Sequence, residues 1–507
     1  MAIIHTNHGD LNVTNWGYQL QGAGGSPLNP AALASLNFDL LVVEPTRTGS
    51  DATAFTPQDV AAVKTHAVAA AYVSIGEASD FRSYWHANWT QNGQADTALT
   101  GNAPHWLGPV NDAFPDSRKV RYWEQDWQNL IFNASKTGAL DKIVAQGFDA
   151  AYLDIVDGYF FWAAEVAAAD RKAGDPVSER DAANRMIDFI VAMTAHARQT
   201  NPDFSVIPQN GAFILDALAN ADPVRKAAFL GSISAIAVED VYLRKGTADE
   251  NNGFLPDKSV IAALKHDFLA NGKPVFAVDY ANELDGMGRF IHASLADGFI
   301  PTVAEKRGLD RTLAPLHAIG ATGDGVDLVA GSGAADAISG LGGNDTLFGF
   351  AGADQLFGGD GADRLSGGAG RDKIDGGAGN DLIDGGAARD LLTGGLGSDR
   401  FDFNALSDSS ASGARRDTIS DFKHGQDRID LSTIDANSAT AANDKFVWLG
   451  VGAFTGHAGE AHAVRVNQPG TAHDRTLIEA DTNGDGAADM QIVLLGLKTL
   501  TAKDFML

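Results

Sequence analysis

The hydrophobic pattern of this chain changes character once, between about residues 312 and 322. Upstream, short apolar runs rich in β-branched and aromatic residues alternate with longer Ala-rich segments whose apolar positions recur at helical spacing. Eight of the runs read as strands: 16–20, 38–44, 70–75, 150–155, 204–208, 235–238, 275–278 and 299–302. Segments such as 57–67, 140–146 and 178–199 read as helices between them. This alternation predicts a (β/α)8 TIM barrel over residues 15–312. A doubly wound open sheet is the competing architecture, but no glycine-rich nucleotide fingerprint follows the first strand. Residues 1–14 read as a polar leader and 313–321 as a linker.

Downstream, one apolar residue recurs every nine positions: Ile338, Leu347, Leu356, Leu365, Ile374, Ile383, Leu392 and Phe401. Each lies two places after an aspartate of an equally regular series, Asp327, Asp336, Asp345, Asp354, Asp363, Asp372, Asp381, Asp390 and Asp399. Nine residues are too few for a helical hairpin and suit a turn plus a very short strand. One inward residue per unit buries little, so no unit is stable alone and the array must stack. Glycines before most aspartates let carbonyls converge. Stacked carboxylates repel unless a cation lies between them, and hard oxygens suit calcium. The array is therefore expected to stack turns and very short strands around several structural calcium ions, and β-rich stretches follow over 404–507. Without a cation the same charge and glycine content oppose folding.

Composition narrows the function classes. Net charge is −27 with no cysteine. Disulfides play no part, and a nucleic-acid partner bound through a basic face is excluded. No run of apolar residues is long enough for a membrane span, and the N-terminus lacks a basic stretch followed by an apolar run.

Active sites of such barrels lie at the C-terminal ends of the strands. Those places are rich in acids: Glu77 and Asp80 after the third strand, Asp154 and Asp157 after the fourth, Glu239 and Asp240 after the sixth, Asp279 after the seventh. Facing carboxylates are the minimal apparatus for glycoside hydrolysis, one donating a proton and the other attacking or activating water. Acids there can equally cap helices or pair with arginines. Seven of the eight tryptophans precede residue 163, and Trp16, Trp85 and Trp162 fall in or near strand runs. Aromatic faces stack on pyranose rings, although ordinary core packing is the plainer reading for each.

Two resemblances join these readings. The GGxGxDxUx units resemble RTX repeats, which implies a parallel β-roll over 322–403 wound around several calcium ions, and 417–434 resembles the segment that caps the roll in serralysin-type C-terminal domains, within a β-rich cap over 404–507. Ala388 replaces the third motif glycine before Asp390, and the first two copies also depart from the pattern. The runs AYVSIGEASDFRSYW, VRYWEQDWQNLI and GFDAAYLDIVDGYFFW resemble glycoside hydrolase family 114, the endo-α-1,4-polygalactosaminidases. That resemblance implies Asp154 and Glu239 as catalytic acids, Asp154 as nucleophile or base and Glu239 as proton donor. It further implies a substrate cleft containing Trp16, Gln19, Asp157 and Asn210, to which the strand-end residues Glu77, Tyr159, Tyr242 and Asp279 are added. Asp279 also leaves room for a different acid pair. Gln209 stands where the family commonly has lysine, which bears on substrate more than on reaction type.

Together these imply a secreted glycosidase acting on an extracellular polysaccharide, an amino-sugar polymer such as galactosaminoglycan. Export would use type I secretion machinery, which reads an uncleaved C-terminal signal, and the chain ends in AKDFML. The alternative is a calcium-dependent glycan-binding matrix or adhesin protein without hydrolase activity. HExxH and GxSxG are absent, which argues against a metalloprotease or lipase. The loop beginning at Asp481 matches the first half of an EF-hand, but position twelve is Ile492, so a calcium site and a hairpin turn are both open.

Overall fold

The computed structural model describes the chain except residues 1, 7–8, 21–25, 35, 37, 66, 219–221, 244–253, 281–283, 305–315, 318–324, 412–414, 438, 441–442 and 468–473. Most of the 313–321 segment read as a linker thus lies outside the described residues. The chain divides into two compact units, Met1–Pro315 and Leu316–Leu507.

The first unit opens with an antiparallel hairpin, β1 (Ala2–Thr6) and β2 (Gly9–Val13), where the sequence reads as a polar leader. β2 reads Asp-Leu-Asn-Val, an alternation that suits a strand, and β1 carries an Ile-Ile pair, so the segment is a hairpin rather than a leader. All eight strand runs then form strands. Five make one parallel ladder: β3 (Trp16–Gln19), β4 (Leu40–Val43), β5 (Val68–Ser74), β9 (Ala150–Asp154) and β10 (Ser205–Pro208). Three make a second: β11 (Ile236–Glu239), β12 (Val275–Tyr280) and β13 (Ile300–Ala304).

The expected closed barrel is not formed as one continuous ladder. Between β10 and β11 there is a single parallel bridge, Gln209 to Ala237. The cause is local. Val206 O accepts from Ser234 N and Asn210 N donates to Ala237 O, so even-numbered residues of β10 face β11. Pro208 lies between them and has no N–H to donate. Across the other gap, Trp16 Nε1 donates to Ile300 O. All eight strands nonetheless contribute to one buried cluster that includes Trp16, Leu40, Val68, Tyr152, Ile207, Ala237, Phe276 and Ile300.

Helices join the strands, the longest being Glu179–Arg198, where the Ser178 side chain accepts from Asp181 N and so caps the first turn. An antiparallel excursion of β6 (Glu77–Ser79), β7 (Leu107–Asn111) and β8 (Phe114–Val120) follows β5 and brings Lys119 opposite Glu77.

In the second unit each turn of the roll takes two nine-residue repeats. Thr346–Phe348, Arg364–Ser366, Leu382–Asp384 and Arg400–Asp402 stack in parallel as one wall. Ala337–Ser339, Gln355–Asp360, Lys373–Ala378 and Leu391–Leu396 stack as the other. The periodic apolar residues meet between the walls, from Ile338 at 1% exposure to Phe401 at 0%. The cap is mainly antiparallel: Glu460–Val466, Arg475–Asp481 and Met490–Leu495. The loop at Asp481 is the hairpin turn joining its last two strands, and Asp481 accepts the N–H groups of Asn483, Gly484 and Gly486. Among the described residues no helix is long and apolar enough to cross a membrane.

Candidate active site

The register of β5 on β9 sets Tyr72 beside Tyr152 and Ser74 beside Asp154. Tyr72 donates its hydroxyl hydrogen to Asp154 Oδ2, and Ile155 N donates to Oδ1 at 2.8 Å. On the other ladder, Glu239 ends β11. Its Oε2 accepts from the Tyr280 hydroxyl at 2.7 Å and its Oε1 from Asn210 Nδ2 at 3.0 Å. Asn210 Oδ1 in return accepts Glu239 N at 3.1 Å, so one amide holds both backbone and side chain of Glu239.

Backbone strain marks the same places. Ile155, Asn210 and Asp240, just past the ends of β9, β10 and β11, have φ of 59°, 60° and 56°. The left-handed region costs a β-branched residue most, and such outliers persist where surrounding structure imposes them. At Ile155 the neighbour is Gly76: a Cβ there would lie 2.5 Å from Ile155 O. Glycine at 76 is what lets the two loops touch.

The electrostatics couple the acids. Burial pushes the Asp154 carboxyl up to about 7; the Tyr72 hydrogen bond opposes this, and the charges of Glu239 and Asp157 reinforce it. Burial and the charge of Glu239 likewise push the Tyr280 phenol well above its ordinary range. The Tyr152 phenol, deep in the core below, is raised by burial and by the charges of both Glu239 and Asp154. Asp157 is exposed, yet the walls around it hold its carboxyl up at about 6, against the pull of Lys119.

The remaining expected residues separate into two groups. Tyr159 is buried but borders, with Asp157 and Asn210, a groove of about 690 Å³; Gln19, at the upper end of β3, is half-buried. Glu77 is buried against Lys119 and accepts Asn111 Nδ2 at 2.7 Å, so it positions a lysine rather than meeting a ligand. Trp16 is 1% exposed and lies against Tyr18 and Tyr152. It begins β3, about 10 Å below the strand ends at 3.3 Å per residue, and cannot offer its face there. Asp279 has the opposite parity to Tyr280, so it points away from the core and accepts Tyr242 N at 3.0 Å. Tyr242 is fully buried, its hydroxyl donated to Asp297 at 2.9 Å and its ring against Phe290 and Phe299. Trp16, Tyr242 and Asp279 are therefore framework, a correction to the sequence-based set. Tyr72, Tyr280 and Lys119 were missed. The available signal for the tyrosines was the two-residue alternation that places 72 on the core face with 70, and 280 with 278; which acid each meets is set by register.

The roll builds a second constellation. Each ladder aspartate from Asp345 to Asp399 takes the N–H of the aspartate eighteen residues earlier on Oδ1, as Asp372 does from Asp354 at 2.8 Å. The chain breaks the nine-residue period after Asp399, but the ladder continues in space: Asp417 accepts from Asp390 N and Asp427 from Asp399 N. Sequence spacing could not show this. The Oδ2 atoms of Asp345, Asp354, Asp363, Asp372, Asp381, Asp390, Asp399 and Asp417 are buried without a hydrogen-bond partner. Glycine carbonyls face them: a Cβ on Gly349 would lie 2.5 Å from Asp354 Oδ2 and 2.7 Å from Gly367 O. Burial and neighbouring acids push Asp345 up to about 7, Asp390 to about 8 and Asp417 to about 9. Asp336 differs, because Ser332 N and Oγ already fill its Oδ2. No three Asp, Glu or His side chains converge on one point among the described residues, so a cation here would draw on carbonyls as well.

Known proteins bear on both units. The model of glycoside-hydrolase family GH114 matches residues 5–316, and that of the peptidase M10 serralysin C terminus matches 316–507. An uncharacterized protein of Thermotoga maritima is 31% identical over 294 residues, 58% of this chain and 78% of that one. The metalloprotease AprA of Pseudomonas entomophila is 43% identical over 101 residues, 20% of this chain and 19% of that one. Among solved structures, the glycoside hydrolase domain of PelA from Pseudomonas aeruginosa is 18% identical, covering 60% of this chain and 99% of that one with a TM-score of 0.41.

Proposed function

The chain belongs to glycoside hydrolase family GH114, with a serralysin-type C-terminal domain, and from that premise we propose that Asp154 and Glu239 hydrolyse an extracellular amino-sugar polymer such as galactosaminoglycan. The observation that carries this reading is the pair itself: two strand-end carboxylates, each held by a tyrosine hydroxyl, with the charge of Glu239 felt at Asp154. We read the eight parallel strands around their common core as a (β/α)8 barrel.

The reaction needs one proton on the pair. Burial holds the Asp154 carboxyl up at about 7, so Asp154 can carry that proton in the free cleft, against the role of nucleophile or base that the resemblance implies for it. One acid protonates the departing glycosidic oxygen while the other, ionised, attacks the anomeric carbon or activates water. Asn210 and Tyr280 orient Glu239; Tyr72 and the Ile155 N–H orient Asp154. The acidic surroundings favour a cationic, partly deacetylated chain.

Calcium would be held in the roll by the partnerless Asp oxygens together with glycine carbonyls, contributing folding free energy and none of the chemistry. A tail that folds only outside the cell fits export by a type I system. Asp154→Asn and Glu239→Gln should each lower cleavage of partly deacetylated galactosaminoglycan by at least about a hundredfold while binding persists. If both variants cleave like the parent, the site assignment fails.

A further inference from the structure

The groove beside the acid pair has its own chemistry. It adjoins the site through Asp157 and through Asn210, the residue that clamps Glu239. Two phenylalanines in it are unusually open for their size, Phe160 at 44% and Phe213 at 38% exposure, one following β9 and one following β10. Exposed Glu165 and Glu179 border the same space. Neither forms an ion pair among the described residues, and the one lysine bordering the groove, Lys119, is bound to Glu77. An open aromatic pair suits the apolar face of a sugar ring, and unpaired carboxylates suit an ammonium group. A volume near 690 Å³ is in the range of small-ligand sites.

We infer that this groove is a subsite for a sugar unit adjoining the scissile bond, with Phe160 and Phe213 as its stacking platform and Glu165 and Glu179 selecting a free amine. The inference rests on the reading of Asp154 and Glu239 as the catalytic pair, and it adds which residues set the charge preference. All four side chains are at the surface of the groove, so their replacement leaves the core intact.

The test uses the full chain and two probes, partly N-deacetylated and fully N-acetylated galactosamine oligosaccharides. Glu165→Gln with Glu179→Gln should raise KM for the deacetylated oligomer about threefold to tenfold at unchanged kcat, and leave the acetylated one unaffected. Half-molar salt should erase most of the difference. Phe160→Ala with Phe213→Ala should weaken both oligomers alike. An unchanged KM in the Gln pair, or an equal loss on both oligomers, overturns the charge assignment. If the parent cleaves neither probe, the catalytic reading fails instead, and calorimetric binding of the same oligomers to parent and Gln pair still decides the groove: equal affinities overturn it.

Discussion

At the residue scale, the site depends on how two carboxyl groups are held. Because the folded-state pKa of Asp154 is raised to about 7, the pair keeps its proton up to that pH and loses it above. The pH profile of kcat/KM should therefore fall about tenfold per unit beyond roughly 7. Tyr72→Phe removes a hydrogen bond that favours the ionised form, so the falling limb should move to higher pH; a shift downward would contradict the arrangement. Gly76 shows that a residue without any functional group can decide the same geometry. Gly76→Ala should push Ile155 away, cost about 1–3 kcal/mol of stability and lower kcat more than tenfold, as read by thermal unfolding and a rate assay. Strand-end position placed Asp154 and Glu239 among several acids and the family resemblance singled them out, but neither pointed to the tyrosines that hold them, because hydrogen-bond partners on neighbouring strands are set by register.

At the scale of elements, strands were legible wherever their residues alternate or run apolar, and all eight expected strands of the first unit are present. The break between β10 and β11 comes from one proline whose missing donor faces the neighbouring strand. The roll offers a sharper case. Ala388 occupies a motif glycine position and has φ of 105°, against 146° at Gly379 and 135° at Gly397. An alanine there is strained, so Ala388→Gly should stabilise the roll by about 1 kcal/mol despite the entropy a new glycine adds to the unfolded chain. Calorimetry of the calcium-loaded protein would show it; a lower melting temperature for the tail would mean that the strain is relieved elsewhere.

At the scale of the molecule, the two units answer to different forces. The first is held by an apolar core, the second by a stack that buries carboxylates as well as leucines. Asp345, Asp372, Asp381, Asp390 and Asp417 of the ladder have folded-state pKa values of about 6 to 9, above the unfolded value of 3.8. Stability from their protonated form is present below about 4 and is lost as pH rises through that range. In chelator, residues 322–430 should thus be unfolded at pH 8 and regain structure toward pH 5, while calcium should remove most of that dependence. Limited proteolysis with circular dichroism reads both, and the first unit should resist chelation. A tail equally resistant at pH 8 with and without chelator would refute the cation ladder.

The nine-residue period, the β/α alternation and the strand-end acids were set by local sequence, since each depends only on spacing along the chain. Tertiary structure alone decided that Trp16, Tyr242 and Asp279 are framework, that Glu77 is spent on Lys119, and that Asp417 and Asp427 continue a ladder whose period had ended. The reason is physical: depth below a rim, parity across a strand and register between distant segments are relations between chain segments, and no single segment carries them.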